Sequence, residues 1–124
     1  MRAPILKQGP FLIASVQSAL TDADLLQLRD ELAQRIGTHR TQGVIVDVTA
    51  LDVIDSFAAR TLRSIAQTVH LRGAECVIVG IQPAVAFSMV QLGLTLHGVT
   101  TALDLEDGLA QLAHRVDGGA GDGG

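Results

Sequence analysis

Residues 49–57, Thr-Ala-Leu-Asp-Val-Ile-Asp-Ser-Phe, are the most polar stretch beside the apolar segments of the chain. They follow the β-branched run 44–48 and precede a helical pattern that starts at Ser56, which predicts a loop between a strand and a helix. In α/β sheets, functional groups gather beyond the carboxyl ends of the strands. Ser56 is therefore the first candidate for chemistry, and helix capping, nucleophilic catalysis and phosphate acceptance compete as its role.

Helix capping is the plainest of these roles. Asp55 or Ser56 can accept a backbone N–H at the helix start and satisfy a donor that has no partner inside the helix. On this interpretation the loop contributes stability and nothing else, and the sequence alone leaves the interpretation open.

Nucleophilic catalysis by Ser56 lacks the residues that would activate its hydroxyl. The Gly-x-Ser-x-Gly frame of a nucleophile elbow is absent, because the surrounding sequence is Ile-Asp-Ser-Phe-Ala. A catalytic serine also needs a base within hydrogen-bond reach. The four histidines are scattered over predicted helix ends or faces: His39, His70, His97 and His114. We predict that the protein is not an enzyme; a serine hydrolase is the alternative.

The sequence carries no pattern for a metal ion or a nucleotide. The carboxylates lack EF-hand spacing, and no His/Cys pair has the spacing of a zinc site. No Gly-x-x-x-x-Gly-Lys-Ser/Thr loop is present to bind ATP. We therefore predict no cofactor, and a phosphate on Ser56 would have to come from a separate kinase.

Phosphate acceptance fits the position of Ser56. A helix N-terminus favours an anion, because its N–H groups and the helix dipole point toward it. A phosphate adds about −1.5 to −2 charges, which the helix would tolerate and the neighbouring Asp52 and Asp55 would repel. Arg60 lies about one turn into the same helix and could reach back to the phosphate, and Arg63 follows about two turns in. The alternative is that both arginines are solvated surface cations.

The elements that position this loop follow from the spacing of apolar residues. The runs 44–48 and 76–79 predict strands buried on both faces, and a helix over 56–71 completes a right-handed strand–helix–strand unit. Upstream, residues 5–8 and 11–16 flank a Gly-Pro turn and predict an antiparallel hairpin.

Two further helices are predicted on either side of this unit. One starts near Thr21 and Asp22, which both offer N-cap side chains, with Asp24 at the third position beyond Thr21, and it ends at Gly37 or Gly43. The other, over residues 84–94, is apolar on almost every side, which indicates either deep core packing or an assembly surface.

The C-terminal part completes the predicted domain. Residues 98–101 indicate an edge strand, and Asp104 can cap a last helix. The order ββαβαβαβα predicts an α/β fold with a mixed β-sheet of about five strands and about four α-helices. We assign residues 1–117 to a single domain and predict that the glycine-rich tail 118–124 is disordered.

Composition narrows the range of partners. The net charge is −4 and aromatic residues make up 2%, with no Trp or Tyr, so the chain lacks both a basic patch and stacking platforms for nucleic acid. The single cysteine, Cys76, lies in an apolar run and is predicted to be a buried, inert thiol. No segment approaches the ~20 apolar residues that span a bilayer. We expect a cytoplasmic protein that binds neither nucleic acid nor membrane.

Two segments around Ser56 resemble the phosphorylation-site region of STAS domains, the family of anti-sigma-factor antagonists: Val-Asp-Val-Thr at 46–49 and Val-Ile-Asp-Ser-Phe at 53–57. Within that family, the chain is similar to single-domain stressosome scaffold proteins of the RsbS type. Four more segments carry this likeness: Pro-Ile-Leu-Lys at 4–7, Gly-Val-Ile-Val-Asp at 43–47, Gly-Ile-Gln-Pro-Ala-Val-Ala at 80–86 and Thr-Ala-Leu-Asp-Leu-Glu at 101–106. Only the glycine-rich tail falls outside it.

The resemblance implies a STAS fold and a signalling scaffold of the stress response. Proteins of this type co-assemble with RsbR-type paralogues into a shell that holds an RsbT-type serine kinase, so we expect a homo-oligomer or a hetero-oligomeric shell. The kinase phosphorylates the scaffold serine and is released, and an RsbX-type phosphatase resets the serine. Carried over, Ser56 is the phosphoacceptor, and its neighbours are candidates for partner binding: Asp52, Asp55, Phe57 and Arg60. The alternative is a monomeric anti-sigma-factor antagonist that binds an anti-sigma kinase directly.

Overall fold

The computed structural model describes residues 2–96 and 98–122. Within these residues the chain forms five strands, β1 (Ile5–Gln8), β2 (Phe11–Ser15), β3 (Gly43–Asp47), β4 (Glu75–Val79) and β5 (Thr100–Ala102). It also forms four helices, α1 (Asp22–His39), α2 (Ser56–Leu71), α3 (Pro83–Gln91) and α4 (Leu105–Asp122). The predicted α/β class and the predicted order of elements are confirmed.

The five strands form one sheet in the order β1-β2-β3-β4-β5. Strands β1 and β2 pair antiparallel, and each later pair of neighbours is parallel, so the predicted mixed sheet is confirmed. Ser15, Asp47, Val79 and Ala102 are level with one another in the register. The four parallel strands therefore end at one edge of the sheet, where the loops that follow them come together.

Each face of the sheet carries its own aliphatic core. Helices α1 and α2 pack on one face, where Leu28, Leu32, Leu62 and Ile65 are buried together with strand residues such as Val46. Helix α4 packs on the other face, whose buried cluster contains Ile13, Ile45, Val77, Val79 and Leu112. The aromatic-poor composition thus gives a core of Leu, Ile and Val on both sides.

Helix α4 lies close to the sheet because Gly108 has no side chain. A Cβ at this position would lie 2.6 Å from Cγ1 of Val79, well inside contact distance. The close approach accompanies complete burial of Leu112, about one turn further along the helix. Asp104 caps α4 as predicted, since its Oδ1 accepts a hydrogen bond from the N–H of Asp107 at 2.8 Å.

The C-terminal end of α4 differs from the predicted boundary at residue 117. The helix continues to Asp122 and so includes most of the glycine-rich segment, while residues 123 and 124 lie outside the described part of the chain. Glycine is a poor helix former, so the last turns have little intrinsic helix stability. The disorder of 118–124 in solution and the domain boundary at 117 stay predictions.

Helix α1 begins as predicted and ends differently. Thr21 Oγ1 accepts a hydrogen bond from the N–H of Asp24 at 3.1 Å, and Asp24 Oδ2 accepts one from the N–H of Thr21 at 2.9 Å. This capping box lowers the pKa of the Asp24 carboxyl, chiefly through the Thr21 backbone N–H. The predicted end at Gly37 or Gly43 is wrong, because the helix runs past Gly37 and ends where Arg40 takes the left-handed conformation, with φ of 49°.

Helix α3 is buried on one side only. Val85 and Met89 are in the core, with 3% and 5% of their surfaces exposed. Phe87, Val90 and Leu92 point outward, with 66%, 78% and 70% exposed. Of the two interpretations of this apolar helix, deep core packing is therefore wrong, and the outward apolar side is a protein surface.

Candidate functional site

Ser56 is the first residue of helix α2, and Asp55 is the residue that caps this helix. Oδ1 of Asp55 accepts a hydrogen bond from the N–H of Ala58 at 2.8 Å, so Asp55 takes the role for which both residues were candidates. The Ser56 side chain is exposed, and its hydroxyl has no hydrogen-bond partner among the residues that the structure describes. The hydroxyl is thus available to another molecule.

The first turn of α2 also offers backbone donors. Asp55 satisfies two of the N–H groups of this turn, that of Ala58 through its side chain and that of Ala59 through its carbonyl at 2.9 Å. The N–H groups of Ser56 and Phe57 have no partner in the described part of the chain, as is usual for the first residues of a helix. These donors and the helix dipole favour a negative charge beside Ser56.

The side chains at the start of α2 are acidic and partly apolar. Asp52 and Asp55 are exposed, and Phe57 is half-buried. Val53 is 74% exposed, whereas Ile54 is 3% exposed and anchors the loop in the core shared with α1 and α2. Asp52, Asp55 and Phe57, predicted to bind a partner, therefore lie together on one accessible surface.

Arg60 lies on the same side of α2 as Ser56, because residues four apart are neighbours on a helix surface. Its side chain is exposed, and that of Arg63 is half-buried. Neither arginine forms an ion pair or a hydrogen bond with the described residues. Both therefore remain available as cations along the Ser56 side of the helix, and neither contacts Ser56 in the unmodified chain.

The β3–α2 loop (residues 48–55) is held in place at Thr49. Oδ1 of Asp47 accepts hydrogen bonds from the N–H of Thr49 at 2.9 Å and from its hydroxyl at 2.6 Å. The Thr49 carbonyl accepts a hydrogen bond from Nε2 of Gln82 at 2.6 Å. Gly80 packs against Thr49 with φ of +83°, where a Cβ would overlap the threonine side chain. Sequence reasoning missed this contact between two loops, because nothing local in either loop signals its partner.

A groove of about 190 Å³ opens beside the β3–α2 loop. It separates this loop from the segment that joins β2 to α1, and its walls include Leu20, Leu25 and Leu51. Asp22 and Asp55, at the starts of α1 and α2, are also among its lining residues. The groove was not predicted from the sequence, although two loops that follow adjacent parallel strands are where such a cleft is expected.

No histidine in the described part of the chain lies beside Ser56. His70 lies in the last turn of α2, about 20 Å along the helix at 1.5 Å per residue. His39 lies in the last turn of α1, and His114 lies in α4 on the opposite face of the sheet. His97 lies outside the described residues. A base that could activate Ser56 is therefore not found among the histidines that are described.

The rest of the described chain offers little other chemistry. Burial raises the pKa of the Cys76 thiol to about 12, helped by the charge of Glu75, and the predicted burial of this thiol is confirmed. Among residues 2–96 and 98–122, no three His, Cys, Asp or Glu side chains are grouped so as to hold a metal ion. In the same ranges, no helix combines the length and apolarity that crossing a bilayer requires.

A sequence profile for the STAS domain matches residues 2–108, which include the whole Ser56 region. Among curated proteins, the chain is 31% identical over 91 residues to the RsbT co-antagonist protein RsbRA of Bacillus subtilis (strain 168). That match covers 73% of this chain and 33% of RsbRA, so the chain spans a third of the relative's length.

Two solved structures resemble the chain over almost its full length. RsbS of Moorella thermoacetica, in a form with a serine-to-glutamate substitution, is 34% identical with a TM-score of 0.80, covering 94% of this chain and 99% of RsbS. A chain of the stressosome, a signal integration and transduction hub, is 36% identical with a TM-score of 0.78, covering 91% of this chain and 98% of that one. The similarity therefore extends over almost the whole of both solved chains, whereas it covers a third of RsbRA.

Proposed function

The chain belongs to the STAS domain family, and from that premise we propose that it is a non-catalytic signalling scaffold switched by phosphorylation of Ser56. Its similarity to RsbS and to RsbRA supports a scaffold or antagonist role. In the proposed function the chain holds an RsbT-type serine kinase and releases it when Ser56 is modified. The output is the general stress response or an equivalent pathway.

The exposed, unbonded hydroxyl of Ser56 carries this proposal. A serine that capped α2 would already have its oxygen engaged with a backbone N–H. Asp55 performs that task instead, so Ser56 can be modified without loss of the cap. The N–H groups of Ser56 and Phe57 can then donate hydrogen bonds to the phosphate oxygens.

The transfer itself needs a kinase that brings ATP. The Ser56 Oγ attacks the γ-phosphorus, the bond to the β-phosphate oxygen breaks, ADP leaves, and the hydroxyl proton passes to a base of the kinase. The exposed surface of Asp52, Val53 and Phe57 and the adjacent groove give the kinase a place to dock. Arg60 is the cation that can approach the phosphate afterwards.

In this proposal, the negative charge of the phosphate on Ser56 causes release of the kinase. The phosphate adds about −1.5 to −2 charges beside the exposed carboxylates of Asp52 and Asp55, on the surface proposed to dock the kinase. Like charges this close repel one another, so the kinase is expelled while the fold of the scaffold is preserved. An RsbX-type phosphatase that removes the phosphate from Ser56 would restore binding.

The proposal is tested by incubating the protein with its cognate RsbT-type kinase and Mg-ATP and mapping phosphate by mass spectrometry. We expect one phosphate on Ser56, none on the Ser56→Ala variant, and normal modification of Ser88→Ala. Ser88 is a matched control because it is also an exposed helical serine. Full phosphorylation of Ser56→Ala at another residue would refute the proposal.

The proposed partners include RsbR-type paralogues in a cytoplasmic hetero-oligomeric shell. The outward side of α3, with Phe87, Val90 and Leu92 exposed, is an apolar surface that suits such assembly. We expect the co-expressed chains to form a large particle in which Val90→Asp is depleted, and mass photometry measures this. A wild-type chain that stays monomeric beside its paralogue would favour the anti-sigma-factor antagonist instead.

A further inference from the structure

Gln82 stands at the N-cap position of α3 and does not cap it. Its backbone is extended, with φ −64° and ψ 147°, as an N-cap requires, yet its side chain makes no hydrogen bond to its own helix. Ser, Thr, Asp and Asn are the residues that cap helices well, and a glutamine is a poor choice for this position. Departures from such local rules concentrate at functional positions.

The Gln82 side chain instead reaches the β3–α2 loop. Nε2 donates to the carbonyl of Thr49 at 2.6 Å, a contact between residues 33 positions apart in sequence. The remaining polar groups of Thr49 are bonded to Asp47, and Gly80 leaves the space that the Thr49 side chain occupies, which a Cβ at residue 80 would overlap. Thr49 is thus fixed through both its side chain and its backbone.

Further along, the same loop is held by fewer contacts. The N–H of Leu51 donates to the carbonyl of Val48 at 2.9 Å, Ile54 is buried, and the residues between them, Asp52 and Val53, are exposed. The hydrogen bond from Gln82 is therefore a side-chain contact through which the β4–α3 loop supports the chain that leads to Ser56, beside the packing of Gly80 on Thr49 and the bond from the Val48 N–H to the Val79 carbonyl at 3.0 Å.

We infer that Gln82 is a positioning residue for phosphorylation of Ser56, an inference that rests on the proposed function. It acts through Thr49, by keeping the β3–α2 loop in the conformation that a kinase recognises. If the loop adopts this conformation only part of the time, the kinase binds more weakly. Its apparent dissociation constant equals the intrinsic one divided by the fraction of molecules in the binding-competent conformation. Once the kinase is bound, the transfer step itself is unchanged.

The test measures steady-state phosphorylation of Ser56 by the cognate RsbT-type kinase with Mg-ATP. Loss of one hydrogen bond changes an equilibrium by roughly 5-fold, so we expect Gln82→Ala to raise KM for the scaffold measurably, by at most about 5-fold, with kcat within about twofold. Gln91→Ala, a matched exposed glutamine at the other end of α3, is expected to behave as wild type.

Gln82→Ser separates positioning from a structural role. Serine can cap α3 and so stabilises this helix, but it is too short to reach Thr49. The positioning role predicts that Gln82→Ser raises KM as much as Gln82→Ala does. If Gln82 only supported α3, Gln82→Ser would be phosphorylated at least as well as wild type, and the inference would be overturned.

Hydrogen exchange gives a readout without the kinase. The N–H of Leu51 should exchange about 5-fold faster in both Gln82 variants, while the N–H of Ala86, which donates to the carbonyl of residue 82 at 2.9 Å, keeps its protection in Gln82→Ser. Unchanged Leu51 exchange would overturn the inference. Wild-type protein that carries no phosphate on Ser56 would refute the proposed function, and faster Leu51 exchange would still show the loop contact.

Discussion

The β3–α2 loop and the β4–α3 loop (residues 80–82) both lead from a parallel strand into a helix, and they begin those helices in opposite ways. The first ends in Asp55, whose carboxylate caps α2 and leaves the following serine unbonded. The second ends in Gln82, which leaves α3 without a side-chain cap and relies on Pro83 as the first helical residue. Proline suits that position because its ring presets φ and it has no N–H to satisfy.

The difference shows how adjacent loops can divide two tasks. The β3–α2 loop satisfies its own helix and presents Ser56 to the outside. The β4–α3 loop gives its polar side chain to its neighbour, by the hydrogen bond from Gln82 to Thr49. The surface around Ser56 thus depends on Gln82, a half-buried residue of the neighbouring loop.

The largest effect that tests this comparison is expected at Gly80. Gly80→Ala must adopt φ of +83° and place its Cβ against the Thr49 side chain and backbone. We expect the free energy of unfolding to fall by about 3 kcal/mol, from backbone strain and overlap together. Urea denaturation followed by circular dichroism measures it.

Gly93→Ala is the matched control for this substitution. Gly93 also has positive φ, +70°, but a Cβ there would have no heavy atom within 4 Å. Only backbone strain remains, so we expect a loss of about 1 kcal/mol. Equal losses at the two glycines would show that contact with Thr49 does not constrain the β4–α3 loop.

A smaller effect is expected at Asp55. Asp55→Ala removes the hydrogen bond to the N–H of Ala58 and should lower the free energy of unfolding by about 1 kcal/mol. Asp52→Ala, the matched control, removes an exposed carboxylate of the same loop that has no described partner, and should change stability by less than about 0.5 kcal/mol. Equal losses in thermal denaturation would mean that charge rather than capping stabilises this helix start.

Local patterns were sufficient for much of the fold. The Thr21–Asp24 capping box, the start of α2 at Ser56 and the hairpin around Gly9 and Pro10 each depend on residues close together in sequence. These elements can therefore be predicted from the residues' helix and strand propensities and from the periodicity of apolar residues. The position of Ser56 at a helix start was predicted for the same reason.

Contacts between segments that are distant in sequence could not be predicted from local patterns. The hydrogen bond between Gln82 and Thr49 and the groove beside Leu51 exist only because β2, β3 and β4 end at the same edge. The left-handed Arg40 that ends α1 replaced the glycine expected there, since a non-glycine residue can take this conformation at a cost. Periodicity also could not show which side of the apolar helix α3 faces outward.

The buried cysteine has a practical consequence for studying this protein. Burial raises the pKa of the Cys76 thiol, and only 8% of the residue's surface is exposed. In the folded chain Cys76 should therefore react slowly with maleimide dyes, and it need not be removed before labelling. A cysteine introduced at exposed Val53 would be the single labelling position, and a fluorophore there would report kinase arrival and departure at the Ser56 surface in real time.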